Sequence, residues 1–151
     1  MSEVPVEEYL CTRLRRAEQA LMAHHEAVLR TYGLTMTQYT VLLTLSRADG
    51  RSGAQLARAC GVSQQSMGTV LNGMQAKELI SRTASAAHAK VMIATLTDTG
   101  RDLLDRAYQE VIVLERALTD RFSADEHRQF CEFLDRATAT LIEQTPTAPA
   151  R

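Results

Sequence analysis

The residues best suited to chemistry lie in one short stretch, Gln64 to Asn72. At helical spacing, Met67, Val70, Leu71 and Met74 share an apolar face. Gln64, Gln65, Gly68, Thr69 and Asn72 share the opposite one, which holds no acid. Amide side chains can pair bidentately with adenine, a threonine methyl can meet that of thymine, and glycine lets a backbone come close. An ordinary solvent-facing helix would carry Glu–Lys pairs there. Ser52, Ser63 and Ser66 place hydroxyls near the starts of two helices, where phosphate oxygens are commonly met. Arg82 and Lys90 flank a small-residue loop, Thr83 to Ala89, and offer cations for phosphates or a minor groove. An exposed hairpin with two incidental cations has the same sequence.

Two further sets could do other chemistry. The cysteines are Cys11, Cys60 and Cys131, odd in number and with no CxxC pair, so neither a disulfide framework nor a thiolate zinc site is expected. Arg15, one turn after Cys11, would favour a thiolate, whereas Glu7 and Glu8 would oppose it. Cys131 could meet Cys11 of the same or a second chain; packing as a small apolar residue is the plainer role. Cys60 is expected inside the core. His24 and His25 point about 100° apart on a helix and do not readily share a metal. His24 falls in an apolar stripe and is expected in the core; His25 could line a ligand pocket. No metal or cofactor is expected. HExxH, a Walker loop, GxGxxG and GxSxG are all missing, so an enzyme is not expected, a peroxidase using Cys11 being the one version worth naming.

The elements around these residues read as follows. A helix over about 6–31 ends at Gly33. Thr35 and Gln38 form a capping-box pattern opening a helix to about Arg47, and Asp49-Gly50 marks a turn. Ser52 and Gln55 repeat the pattern for a short helix ending near Cys60; Gly61 turns the chain, and Ser63 caps a helix to about Lys77. Leu79–Arg82 and Lys90–Leu96 read as two strands. Thr97-Asp98 starts a long helix carrying residues as far as Phe122, and Ser123 and Glu126 open the last one. Residues 1–8 should fray, and 145–151, with two prolines, should be disordered. The fold class is mainly α with a small β-hairpin: a winged helix-turn-helix lobe over 35–97, and helices over 6–31 and 98–144 whose apolar stripes need a partner, most economically a second copy.

The totals agree. Apolar residues form 45% of 151, enough for an ordered core, and no run suits a membrane span or signal peptide, so a cytoplasmic location is expected. The net charge is −1, but residues 51–90 hold five basic residues and one acid, a local balance of +4. A basic middle between acidic ends suits a nucleic-acid module and argues against a helix-turn-helix kept only for protein contacts.

In this order the segments resemble the MarR family of bacterial transcription regulators: Gly33-Leu34-Thr35 with Gln38-Tyr39, Gln55-Leu56-Ala57, Val62-Ser63 with Val70-Leu71, Leu79-Ile80 with Arg82, and Leu96-Thr97 with Gly100. The resemblance covers about residues 6–144. It implies a homodimer joined by the first and last two helices, bound to a pseudo-palindromic operator in double-stranded DNA, and a repressor released by a small organic effector or by oxidation. Family ligands sit where the dimerisation helices meet the DNA-binding lobe, which makes Met22, His25, Met36, Tyr39 and Tyr108 pocket candidates; ordinary core is the competing role. The spacing from Cys11 to Gly33-Leu34-Thr35 resembles the organic-hydroperoxide-sensing branch, but Arg15, His25 and Met36 stand where that branch has tyrosines. The family's wing has Asp-x-Arg where this chain has His88-Ala89-Lys90, and an arginine is common where Thr69 stands. Fewer cations imply weaker nonspecific binding and a shallower salt dependence.

Overall fold

The computed structural model describes residues 9–48, 50–85 and 90–145. The expectations for residues 1–8, Asp49, Ala86–Ala89 and 146–151, including His88 of the wing and nearly all of the proposed disordered tail, lie outside them.

The chain divides into two compact units, the first running to Val111 and the second starting at Ile112. In the first, α1 (Leu10–Thr31), α2 (Met36–Ser46), β1 (Arg51–Ser52), α3 (Gly53–Cys60), α4 (Gln64–Ala76), β2 (Ile80–Ala84) and β3 (Met92–Leu96) precede α5 (Asp98–Thr119). The division falls within α5.

Local chemistry explains where these elements begin and end. Thr35 and Ser52 accept hydrogen bonds from the backbone N–H of Gln38 and Gln55, whose side chains accept from the cap N–H in return, so both capping boxes form. α1 stops as Gly33 turns left-handed (φ 66°) and the N–H of Leu34 donates to the Leu29 carbonyl at 3.0 Å. α4 ends by the same device, with the Leu79 N–H donating to Met74, but the left-handed position is Glu78 (φ 57°). In both turns the leucine after the left-handed residue is buried, which fixes the exit direction of the chain.

The core collects Leu29 of α1, Val41, Leu42 and Leu45 of α2, Leu56 of α3, Met67, Leu71 and Met74 of α4, Ile80 and Ala94 of the sheet, and Leu104 and Ala107 of α5. Among the described residues the buried side chains are apolar apart from the phenol of Tyr39. The sheet has three strands in the order β1-β3-β2, all antiparallel. The expected hairpin is present, with Arg82 opposite Ala94. β1 was not expected: Arg51 and Ser52 pair with Ala94 and Ile93 and tie the start of the helix-turn-helix to the wing.

Two expectations are corrected. His24 is exposed, not core; within its own unit α1 buries only Leu29, while Leu10 and Leu21 of the same stripe remain exposed. A stripe is buried only where something covers it, and nothing among the described residues of this unit covers Leu10 or Leu21. Phe122 lies beyond α5, in the turn before α6 (Ala124–Glu143).

In the second unit, Ser123 caps α6 with Glu126 as expected, and Phe122 stacks on Phe130 with ring centroids 5.5 Å apart. α6 buries no residue, and Phe130, Phe133, Leu134, Leu141 and Ile142 are exposed large apolar side chains. Among the described residues no helix is long and apolar enough to cross a membrane.

Candidate nucleic-acid interface

The two-helix unit is built around Gly61. Its left-handed backbone (φ 64°) ends α3, and Val62 then closes a hydrogen bond to the Ala57 carbonyl at 3.0 Å. Two residues later Ser63 caps α4, accepting from the Ser66 N–H at 3.1 Å. The Ser63 and Ser66 hydroxyls also share a hydrogen bond of 2.9 Å. Ser52 is likewise occupied, as the cap of α3. Of these three hydroxyl residues, Ser63 and Ser66 remain exposed at the head of α4, and Ser52 is half-buried.

On α4 the sequence-derived faces separate as expected. Met67, Leu71 and Met74 are buried, Val70 is half-buried, and Gln64, Gln65, Thr69 and Asn72 are exposed. A Cβ added at Gly68 would meet nothing within 4 Å, so the space beside it is open. The exposed face is thus neutral, polar and shallow, suited to approach a negatively charged duplex.

Asn72 has a neighbour that its position on the helix does not announce. Arg82 of β2 donates from Nη1 to the Asn72 side-chain carbonyl at 2.8 Å, joining wing to helix. Lys90 is exposed in the turn before β3.

The lobe is also anchored at the far end of α4. Lys77 donates from Nζ to the Gly33 carbonyl at 3.3 Å, helping to satisfy the C-terminus of α1. Thr97 donates from its hydroxyl to the Glu78 carbonyl at 2.7 Å and accepts from the Gly100 N–H at 3.0 Å. Gly100 is buried there, and a Cβ on it would overlap the Leu79 carbonyl oxygen. α1 and α5 are therefore both pinned to the end of α4. Sequence reasoning counted Lys77 only as charge; the long separation of Lys77 from Gly33 left no local signal.

The pocket candidates are only partly assembled. Tyr39 is buried and Tyr108 lies close enough to influence its phenol, whose pKa is raised chiefly by burial and then by Tyr108. Met36 packs against the core. Met22 and His25 are half-buried on α1; burial, then the neighbouring His24, lowers the His25 pKa. No hydrogen bond or ring contact among the described residues joins Met22 or His25 to the tyrosines.

The redox candidates differ from each other. Cys11 and Cys131 are both exposed, in separate units. Cys131 has an imidazole partner, His127 Nδ1 at 4.0 Å, and Cys11 has no hydrogen-bonding side-chain partner among the described residues. The expected influence of Arg15 on Cys11 thus takes no hydrogen-bonded form. Cys60 is half-buried, and burial raises its pKa, as suits a packed thiol. Among the described residues no cluster of three or more His, Cys, Asp or Glu could hold a metal ion.

Comparison with known proteins decides the family. The profile described as MarR family matches residues 32–90, from just after α1 to the turn before β3. A transcriptional repressor of Mycobacterium tuberculosis, Rv2887, is 33% identical over 123 residues, covering 82% of this chain and 88% of its own. The chain belongs to the MarR family. This MarR-family winged-helix regulator also matches solved structures along nearly its whole length. Rv2887 in complex with DNA superposes with a TM-score of 0.70 at 31% identity, covering 85% of this chain and 97% of that one. Rv2887 in complex with p-aminosalicylic acid superposes at 0.66, covering 86% and 98% at 32% identity. The transcriptional repressor CouR bound to a 23-mer DNA duplex gives 0.76 at 25% identity, covering 91% and 99%. These MarR relatives are transcription regulators, a function that asks for no catalytic group of the chain.

Proposed function

We propose that this chain is a homodimeric, cytoplasmic repressor that reads a pseudo-palindromic operator in double-stranded DNA and releases it when a small aromatic acid binds. The observation that carries the reading is the exposed, acid-free face of α4, capped by Ser63 and flanked by Arg82 of the wing. In this reading Gln64, Gln65, Gly68 and Thr69 approach base edges. Ser63, Ser66 and the N-terminal backbone of α4, Ser52, and the cations of Arg82 and Lys90 meet phosphates or a minor groove.

Dimerisation is supported by the second unit, whose helix buries nothing within this chain. Two-fold symmetry then places two α4 helices on successive major grooves, and a symmetric operator mirrors the protein. The effector class is supported by the p-aminosalicylic acid complex of Rv2887. An effector acts by favouring a dimer whose α4 helices are wrongly spaced, to the extent that it binds that dimer more tightly.

The test is fluorescence anisotropy on DNA from upstream of the protein's own gene against scrambled DNA, at fixed salt. Gln65→Ala should lower the ratio of specific to nonspecific affinity by roughly five- to a hundredfold, the value of one good bidentate base contact, and Thr69→Ala should lower it by less. An unchanged ratio for both variants sinks the assignment of this face. Salicylate should weaken specific binding by the wild-type protein if the effector class is right; no response up to millimolar concentrations dismisses it.

A further inference from the structure

Arginine only donates hydrogen bonds, so the atom of Asn72 that meets Arg82 Nη1 at 2.8 Å must be the carbonyl oxygen of the amide. That oxygen is the one an asparagine needs to accept from the adenine amino group in a bidentate contact. Asn72 also lies two turns beyond the start of α4, whereas base contacts concentrate near the N-terminus of such a helix. Its partner sits on the middle of β2, paired across the sheet with Ala94, so the bond spans from helix to wing. The brace is a neutral amide. A carboxylate at this place would orient the guanidinium equally well but cancel its charge. Among the described residues the only ion pair is Arg128 with Asp125, on α6, so no acid of those residues pairs with Arg82.

We propose that Asn72 is a positioning residue that holds the Arg82 guanidinium at the edge of the recognition helix with its charge undiminished, for a phosphate of the DNA backbone, and is not itself a base reader. This rests on the interface reading above. The neutral brace compensates in part for the arginine missing at Thr69, since one arginine with both direction and full charge supplies the phosphate anchor.

The experiment measures binding to a duplex selected by the wild-type protein from a randomised pool, between 50 and 200 mM salt, for the wild type, Arg82→Ala, Asn72→Ala, Asn72→Asp and the Arg82→Ala/Asn72→Ala double variant. Each phosphate contact contributes about 0.9 to the slope of log affinity against log salt. Arg82→Ala should lower the slope by about that amount. Asn72→Asp keeps the acceptor and should keep the fold, checked by an unchanged melting temperature, yet lower the slope nearly as far. Asn72→Ala should cost affinity on selected and scrambled DNA by similar factors, and its effect should vanish once Arg82 is alanine. Three results would overturn the proposal: Asn72→Asp titrating like wild type, Asn72→Ala relaxing preference at one base pair, or additive single effects. Failure of the wild type to select any duplex would overturn the interface reading and this proposal together, whereas selection with wild-type slopes in Asn72→Asp removes the proposal alone.

Discussion

Replacing Gly100 with alanine sets two effects of opposite sign against each other. By helix propensity alone, alanine inside α5 stabilises by about 1 kcal/mol over glycine. The geometry opposes it. The added Cβ overlaps the Leu79 carbonyl oxygen and comes within 3.0 Å of both the Leu79 carbonyl carbon and Leu96 Cδ1. Leu96 can rotate away; a backbone carbonyl cannot. The first turn of α5 must therefore lift from the end of α4. Two hydrogen bonds stretch as it does: the Thr97 N–H to the Leu79 carbonyl at 3.3 Å, and the Thr97 hydroxyl to the Glu78 carbonyl at 2.7 Å. Each contributes about 1 kcal/mol net. Overpacking adds about 1–3 kcal/mol, so the balance after the propensity gain is a loss of about 2–4 kcal/mol. For a chain of this size that lowers the melting temperature by roughly 5–15 °C. Calorimetry or circular dichroism at one fixed protein concentration reads it, since an associating protein melts higher when concentrated. A melting temperature equal to or above wild type would refute the close approach of α5 to Leu79.

Glu78→Gly should stabilise the protein by about 0.5–1 kcal/mol, because a left-handed backbone at φ 57° disfavours a side chain by more than the extra freedom glycine has when unfolded; a urea midpoint at or below wild type would refute strain in this turn. The pH dependence of stability should carry a mark of His25. Its folded pKa is lowered by burial and by His24 from an ordinary value of 6.5, so the unfolded chain takes up the proton first as pH falls. The stabilisation is fully present above pH 6.5 and is lost as pH falls through the folded value. Urea midpoints measured from pH 7.5 down to pH 5 should fall less steeply for His25→Gln than for wild type, and parallel curves would contradict the assignment.

What was readable in the sequence was short-range. Capping at Thr35, Ser52, Ser63 and Ser123, and the stop at Gly33, are decided by residues within five positions of each other. The faces of α4 follow from 3.6-residue periodicity, so the neutral polar surface of Gln64, Gln65, Thr69 and Asn72 is legible in the sequence. Leu34 and Leu79, buried just after their turns, belong to the same local logic.

Tertiary structure decided whatever depends on partners distant in sequence. β1 has only two residues, too few for a period, and exists because β3 offers its edge to Arg51 and Ser52. His24 stands in an apolar stripe yet is exposed, because periodicity tells which residues share a face and not whether another element of the chain covers it. The bond between Asn72 and Arg82 crosses from helix to wing, and neither residue type identifies the other. Sequence alone thus determined a helix with one neutral polar face, since helical geometry repeats every turn. Only the packing of β2 against α4 decided which of its polar residues already holds an arginine.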